Sequence, residues 1–264
     1  MTRAAGRYAF DNDDPEAADR HRYLAAMLDQ FSLTRLATVG ELAGRRCLEL
    51  GAGGGSIADL LAARGARVLA TDLNTRHLPA HPPYEVLRHD LVNESLPPGE
   101  WDLIHARLLL IHLPQRHEIL RRLAGALAPG GALVIEEFET TFRKGVLVAP
   151  TPADAAAYDA YHAALVEQVL PDCGNDPAWA GHVHAAMLAA GLTAVDTEVH
   201  ARSWAGGTPG ALLVTANIAQ QRARFRRAGL SDETLDRVVA LMSDPRMVVR
   251  GHLVYSTIGR RPAG

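Results

Sequence analysis

Lysine is almost missing from this chain of 264 residues: Lys144 is the only one, and arginine supplies every other basic position. That removes a phosphate-loop lysine or a Schiff-base lysine everywhere but at one place. Cysteine is nearly as scarce. Cys47 sits in an apolar run and Cys173 in a loop, so the two thiols offer neither a disulfide framework nor a metal site, and no metal is expected. Excess positive charge is absent too. With a formal net charge of −3 and scattered arginines there is no electrostatic footprint for a phosphate backbone, so no nucleic-acid partner is expected. No apolar run is long enough to span a bilayer and no signal-peptide core is present, so the expectation is a cytoplasmic protein without a membrane partner. There is no internal repeat and no low-complexity linker. Length and a 48% hydrophobic content suit one sizeable α/β domain with a smaller accessory region.

The best-defined stretch runs from Arg45 to Asp72. It reads as a buried strand (Cys47–Leu50), a glycine-rich turn (Gly51, Gly53, Gly54, Gly55), a helix (Ile57–Arg64) and a second strand (Arg67–Ala70) closed by Asp72. Strand-length apolar runs on either side of a helix-period segment indicate a parallel βαβ unit. Its turn is a natural seat for a nucleotide-like ligand, because glycines admit close backbone approach and the helix start offers free N–H groups.

Before this unit, Tyr8 and Phe10 punctuate a polar arm with a lid-like character. Asp13 or Asp14 and Pro15 start a helix with Leu24, Met27, Leu28 and Phe31 on one face, and a second short helix ends near Gly40. After it come strands at Tyr84–Leu87, Trp101–Ala106 and Ala132–Glu136, with a helix from Pro114 that Ala128-Pro129-Gly130-Gly131 stops. Strict alternation predicts a doubly wound parallel sheet. Past Glu139 it breaks. Residues 140–176 read as a helical insertion (helix Ala153–Leu170, carrying Tyr158, Tyr161 and His162). A helix Pro177–Ala190, a strand Ala194–Ala201, helices Gly210–Arg227 and Ser231–Met242, and a closing strand Val248–Gly259 follow.

A strand, a glycine turn, a helix and a strand-end acid suit either a dinucleotide fold or an S-adenosylmethionine fold. A dinucleotide fingerprint needs a third glycine where Ser56 stands, and Glu49 ahead of the turn would repel a pyrophosphate while suiting an amine-bearing ligand. With Glu49-Leu50-Gly51-Ala52-Gly53-Gly54-Gly55, the chain resembles the class I S-adenosylmethionine-dependent methyltransferases. The resemblance extends over roughly 45–138: Asp72 at the second strand end, His89-Asp90-Leu91 after the third strand, Trp101–Arg107 at the fourth, and Leu127-Ala128-Pro129-Gly130-Gly131 before the fifth.

The resemblance implies a Rossmann-like doubly wound seven-stranded sheet with an antiparallel last strand. It also implies S-adenosyl-L-methionine as cofactor, with Asp72 on the ribose diol and Asp90 near the adenine amine. The implied cofactor seat is Tyr8, Glu49, Gly51, Ala52, Gly53, Asp72, Leu73, His89, Asp90, Leu91 and Ala106. Asp90 is also a natural turn former, and Glu49 an acid that needs a partner if buried. The organisation that follows is an N-terminal arm (1–40), a methyltransferase core (41–139 and 177–264) and a cap over the acceptor pocket (140–176). Groups at the strand ends and in the cap are the candidates for the acceptor side: His105, Arg107, His112, Glu136 or Glu137, Tyr158, Tyr161, His162 and Tyr8. Of these His112 is the candidate general base, with Arg107 and Glu137 beside it as catalytic candidates.

Two further patterns fail on position. His81-Pro82-Pro83-Tyr84 precedes the third strand rather than following the fourth, and His117-Glu118 lacks a second histidine because Arg121 stands there. The expected acceptor is a small molecule, and the Ala- and Arg-rich composition suits a bacterial natural-product enzyme by analogy. Which atom is methylated is open, as is the assembly, a homodimer included. The rivals are a fold-keeping protein that binds S-adenosylmethionine without methyl transfer, a NAD-dependent oxidoreductase, and a homo-oligomeric scaffold.

Overall fold

The structure is a computed structural model that describes residues 16–142 and 144–263. Tyr8, Phe10 and the helix start at Asp13, Asp14 and Pro15 lie outside the described residues. In chain order the elements are α1 (Ala17–Ala37), β1 (Arg46–Leu50), α2 (Ser56–Ala63), β2 (Arg67–Asp72), β3 (Glu85–Arg88), β4 (Trp101–Arg107), α3 (Arg116–Ala126) and β5 (Leu127–Glu139). There follow β6 (Val146–Val148), α4 (Pro152–Ala164), α5 (Val183–Ala189), β7 (Thr193–His200), β8 (Ser203–Ala205), α6 (Pro209–Arg227), α7 (Asp232–Leu241), β9 (Val248–Arg250) and β10 (Leu253–Arg260).

The chain divides into two units. The sheet unit comprises Leu28–Phe138, Trp179–His200 and Val254–Gly264. Its seven strands run in the order β3-β2-β1-β4-β5-β10-β7; β1 to β5 pair in parallel and β10 pairs antiparallel with β7, so the expected fold is present. Alternation along the strands sends side chains to two cores. Cys47, Leu103 and Val134 meet Leu36 of α1 and Ile57 and Leu61 of α2 on one face. Leu48, Ile104 and Leu133 meet Leu120 of α3 and Val183 and Met187 of α5 on the other. Burial pushes the Cys47 thiol up to about 12, so it packs as a small hydrophobe.

Helix α1 is one 21-residue element where two helices were expected. Ser32 and Thr34 do not break it, because Thr34 bonds back to the Gln30 carbonyl at 2.9 Å and Ser32 turns inward to Glu136. At the other expected boundary, α3 ends at Ala126 and the chain pairs as strand from Leu127, with Gly130 left-handed at φ +76°.

The helical unit takes 16–27, Glu139–Ala178 and Ala201–Leu253. Residues 201–253 thus share a core with the 140–176 insertion, whereas the sequence reading grouped 177–264 with the sheet. Tyr161 of α4, Leu165 just after it, Phe225 of α6 and Leu235 and Val238 of α7 make that core. Thr151 and Ser231 cap α4 and α7 by accepting from Asp154 and Thr234 N–H. The expected closing strand is two: β9 lies in a small sheet of order β6-β9-β8, and β10 in the large one.

Trp204 of β8 is set against backbone that only glycine permits. A Cβ at Gly210 would fall 2.3 Å from the indole ring. Alanine normally gains about 1 kcal/mol over glycine inside a helix, but overpacking of this kind costs about 1–3 kcal/mol. Gly210→Ala is therefore expected to destabilise, with a thermal midpoint lower by several degrees in a melting experiment; an unchanged or raised midpoint would contradict the tight packing.

Candidate functional site

The glycine turn joins β1 to α2 at the carboxyl end of the sheet. Gly51, Gly53 and Gly55 have φ of +64°, +54° and +86°, and a Cβ on Gly51 would press on Leu109 at 3.0 Å. Backbone bonds shape the turn, Ala52 N–H donating to the Thr71 carbonyl and Gly55 N–H to that of Ala52. The strand-end acid of β2 completes it: Asp72 accepts from Gly53 N–H at 2.9 Å through Oδ2 and from Asn74 N–H at 2.9 Å through Oδ1. Burial raises the Asp72 carboxyl, opposed by the N–H groups of Asn74, Gly53 and Leu73. Next to it Leu73 exposes 54% of its surface, a large apolar side chain at a strand end.

Behind the turn, on the α1/α2 face, lies a chain of polar groups. Glu49, His105 and Glu136 come from adjacent strands and are all buried. His105 Nδ1 meets Glu49 Oε2 at 2.6 Å and its Nε2 lies 3.5 Å from Glu136 Oε2, a charge contact at the limit of a hydrogen bond. Burial opposes protonation of His105, yet Glu49 and Glu136 outweigh it and raise the imidazole to about 9. Burial likewise works to raise Glu136, but His105, Arg107 and the Ser32 hydroxyl hold its carboxyl below the usual range.

Ser32 of α1 donates to Glu136. Arg107 in turn donates to Ser32 Oγ at 3.0 Å, to Asp29 at 2.9 Å and to Ser56 Oγ at 3.2 Å. Asp29, Ser32 and Ser56 were not singled out in the sequence; the available signal was that Asp29 and Ser32 sit one helical turn apart beside the apolar Leu28 and Phe31.

The other candidates are spread around this centre. Ala106 is buried at the end of β4, and Leu91 is buried after β3. His89 is buried with Nε2 3.0 Å from the Ser95 carbonyl. Asp90 receives Val92 and Asn93 N–H and the Asn93 side chain, which chiefly lowers its carboxyl. Asp102 lies at the far end of β4 and accepts from Arg45 and Arg46. Glu137 points to the face opposite Glu136. Its Oε1 accepts from Ile111 N–H at 3.1 Å, in the 3-10 turn Leu110–His112 that ends in the buried His112. Burial pushes this carboxyl up to about 8, against the N–H groups of Ile111, Leu110 and Leu109. The structure thus brings Glu49 and Arg107 onto the α1/α2 face, ties Asp72 to the glycine turn, and places Glu137 with the Leu110–His112 turn on the opposite face of the sheet.

Within the helical unit, Tyr158, Tyr161 and His162 form an aromatic cluster. Phe142 stacks on His162 at 4.7 Å, Tyr158 stands 5.8 Å from Tyr161, and His252 lies 6.2 Å from His162. Burial raises both phenols and lowers both imidazoles, His252 to about 3, so these groups are neutral at pH 7. Among the described residues no group of three or more His, Cys, Asp or Glu side chains is placed to hold a metal ion, and no helix is long and apolar enough to cross a membrane.

The residues around the glycine turn fit S-adenosylmethionine. The turn has room only a missing Cβ leaves, the adjoining carboxylates of Glu49 and Asp72 suit an ammonium and a diol, and exposed Leu73 offers an apolar face to a base.

Comparison with known proteins agrees. A family model described as a methyltransferase domain matches residues 17–196. Methyltransferase str3 of Strobilurus tenacellus is 34% identical over 126 residues, covering 46% of this chain and 43% of the relative. A ubiquinone biosynthesis O-methyltransferase of Xanthomonas euvesicatoria is 32% identical over 125 residues, covering 43% of this chain and 52% of the relative. The chain thus spans about half or less of the length of these curated relatives. Among solved structures, a phosphoethanolamine N-methyltransferase 2 of Haemonchus contortus, determined with S-adenosyl-L-methionine, superposes with a TM-score of 0.53 at 16% identity over 88% of this chain and 52% of that one. A SAM-dependent methyltransferase of Archaeoglobus fulgidus gives 0.52 at 15% identity over 89% and 94%. At those identities the likeness is one of fold.

Proposed function

This chain belongs to the class I S-adenosylmethionine-dependent methyltransferases, and from that premise we propose that it transfers the methyl group to a small-molecule acceptor by in-line displacement. One observation supports this above the rest: Asp72 is tied to Gly53 N–H, so the ribose acid and the glycine turn form one seat. The sulfonium supplies a methyl group already activated for displacement, which leaves the protein to align and to exclude water. Gly51 and Gly53 let the backbone come close to the amino-acid end of the cofactor. Asp72 accepts from the ribose hydroxyls, and Leu73 lies against the base. Arg107 anchors an acidic group nearby, and His112 takes the acceptor's proton where the acceptor arrives protonated. Glu137 holds the turn that carries His112. An acceptor drawn from secondary metabolism suits the Ala- and Arg-rich composition, and the formal net charge of −3 favours a small molecule over nucleic acid.

Calorimetry with S-adenosylhomocysteine against NAD tests the cofactor, and heat with NAD alone would sink the reading. A labelled-methyl assay on a metabolite extract tests the transfer; cofactor binding without transfer would favour a sensor or a rearrangement catalyst. His112→Gln is expected to cut the transfer rate at least tenfold, the low end for general base catalysis, and to leave S-adenosylhomocysteine affinity within about twofold.

A further inference from the structure

The pair of buried carboxylates around His105 is more than cofactor binding by Glu49 alone requires. Burying two acids and one imidazole is costly unless each is compensated. The compensation here is uneven: Nδ1 of His105 is hydrogen-bonded to Glu49 at 2.6 Å, while the buried Nε2 makes no hydrogen bond and has the Glu136 carboxylate 3.5 Å away as a charge contact. A neutral imidazole has one N–H and would leave one carboxylate facing a lone pair; only the doubly protonated ring serves both. The same Oε2 of Glu136 also accepts from Ser32 of α1, and Ser32 in turn receives Arg107, which is paired with Asp29. No described residue hydrogen-bonds to Glu49 Oε1.

We propose that His105 is a positioning residue: as an imidazolium clamped between Glu49 and Glu136, it fixes Glu49 so that Oε1 meets the ammonium group of S-adenosylmethionine, and it links that contact to helix α1 through Glu136 and Ser32. The proposal rests on the reading that this chain binds S-adenosylmethionine. The charged groups facing the ring set its consequence. Glu49 of β1 and Glu136 of β5 favour its proton, Arg107 on its own strand opposes it, and Asp29 of α1 offsets Arg107, while Ser32 and Ser56 are neutral. With His105 and Arg107 cationic and Glu49, Glu136 and Asp29 anionic, the cluster carries one net negative charge, which an incoming ammonium neutralises. Losing the His105 proton adds a second negative charge and leaves one N–H between two carboxylates, so Glu49 and Glu136 compete for it and Glu49 loses its fixed place.

Two measurements test this. Carbon and nitrogen NMR of histidine-labelled wild-type protein, with His105→Gln for assignment, is expected to show the His105 ring as imidazolium at pH 7.5; a neutral ring there overturns the clamp, whether or not cofactor binds. Calorimetry with S-adenosylhomocysteine from pH 6.5 to 10 is expected to give wild-type affinity that falls at least tenfold more steeply than that of His105→Gln. The ligand's own amine titrates identically in both, so the difference between profiles belongs to His105. Glu136→Gln, which keeps the shape of the site, should move the wild-type fall to lower pH. Parallel profiles for wild type and both variants overturn the proposal. If His105→Gln does not fold, Glu136→Gln and the wild-type ring signals decide it; if wild-type protein binds no S-adenosylhomocysteine, the proposed function fails while the ring signals still judge the clamp.

Discussion

Asp72→Ala is expected to weaken S-adenosylhomocysteine binding by roughly ten- to a hundredfold, measured by calorimetry, while moving the melting midpoint little. Hydrogen bonds to a charged group are worth about 1.5–3 kcal/mol each, and each 1.4 kcal/mol is about a factor of ten in affinity. In the free protein this carboxylate already holds Gly53 and Asn74 N–H. Removing it therefore strips acceptors from the ligand's hydroxyls and also releases the glycine turn, and both losses fall on affinity. Stability responds differently, because two effects oppose. The bonds to Gly53 and Asn74 are lost, but so is the burial cost of the carboxylate, the largest influence on its proton affinity. Asp72→Asn separates the roles: its amide oxygen still serves one N–H, while its NH2 group faces the other as a second donor. We expect it to bind more weakly than wild type and to melt lower than Asp72→Ala. Unchanged affinity in Asp72→Ala would mean the ribose is held elsewhere.

The candidate seat of the cofactor was legible because it is written in consecutive residues. Glycines with left-handed φ at 51, 53 and 55, and an acid closing the next strand, are local requirements that a single stretch can display. The doubly wound parallel sheet followed from the alternation of strands and helices. What lay out of reach was contact over distance. Ser32 and Asp29 belong to a helix whose apolar stripe alone suggested core, and only the fold brings them to Glu136 and Arg107, 104 and 78 positions away. The small sheet β6-β9-β8 escaped because three-residue strands are too short to show a period, and with it the common core of residues 201–253 and the insertion. One distinction is carried by the strand period itself. Strand side chains alternate, so with Val134 on the α1/α2 face, Glu136 must share that face and Glu137 must take the other.

That period gives Glu137 its own expected result. In Glu137→Gln the melting midpoint should lie at or below that of wild type near pH 4.5 and above it at pH 8. Glu137 is a carboxyl whose folded proton affinity is raised, to about 8 from an ordinary 4.5. Its favourable contribution is complete below the unfolded value and is lost as pH climbs to the folded one, at a slope of up to about 1.4 kcal/mol per pH unit while folding must take up the proton. Glutamine does not titrate, so the variant escapes that loss. Its amide oxygen replaces Oε1 as acceptor for Ile111 N–H, but its NH2 group must occupy the place of Oε2, which has no hydrogen-bond partner among the described residues. A buried donor left unpaired costs about 1–3 kcal/mol, and that cost is the same at every pH. The two curves must therefore cross, acid stability favouring glutamate and alkaline stability favouring glutamine. The protons of His105 and the other titrating groups affect both proteins alike and drop out of the difference. Scanning calorimetry at half-unit steps from pH 4.5 to 9 reads the crossing directly; parallel curves would mean that Glu137 is ionised in the folded protein. Because Glu137 bonds to the backbone of the turn at Ile111 and not to the glycine turn or to Asp72, S-adenosylhomocysteine affinity should stay within about threefold of wild type wherever both proteins are folded, which distinguishes a carboxyl that holds the turn from one that meets the cofactor.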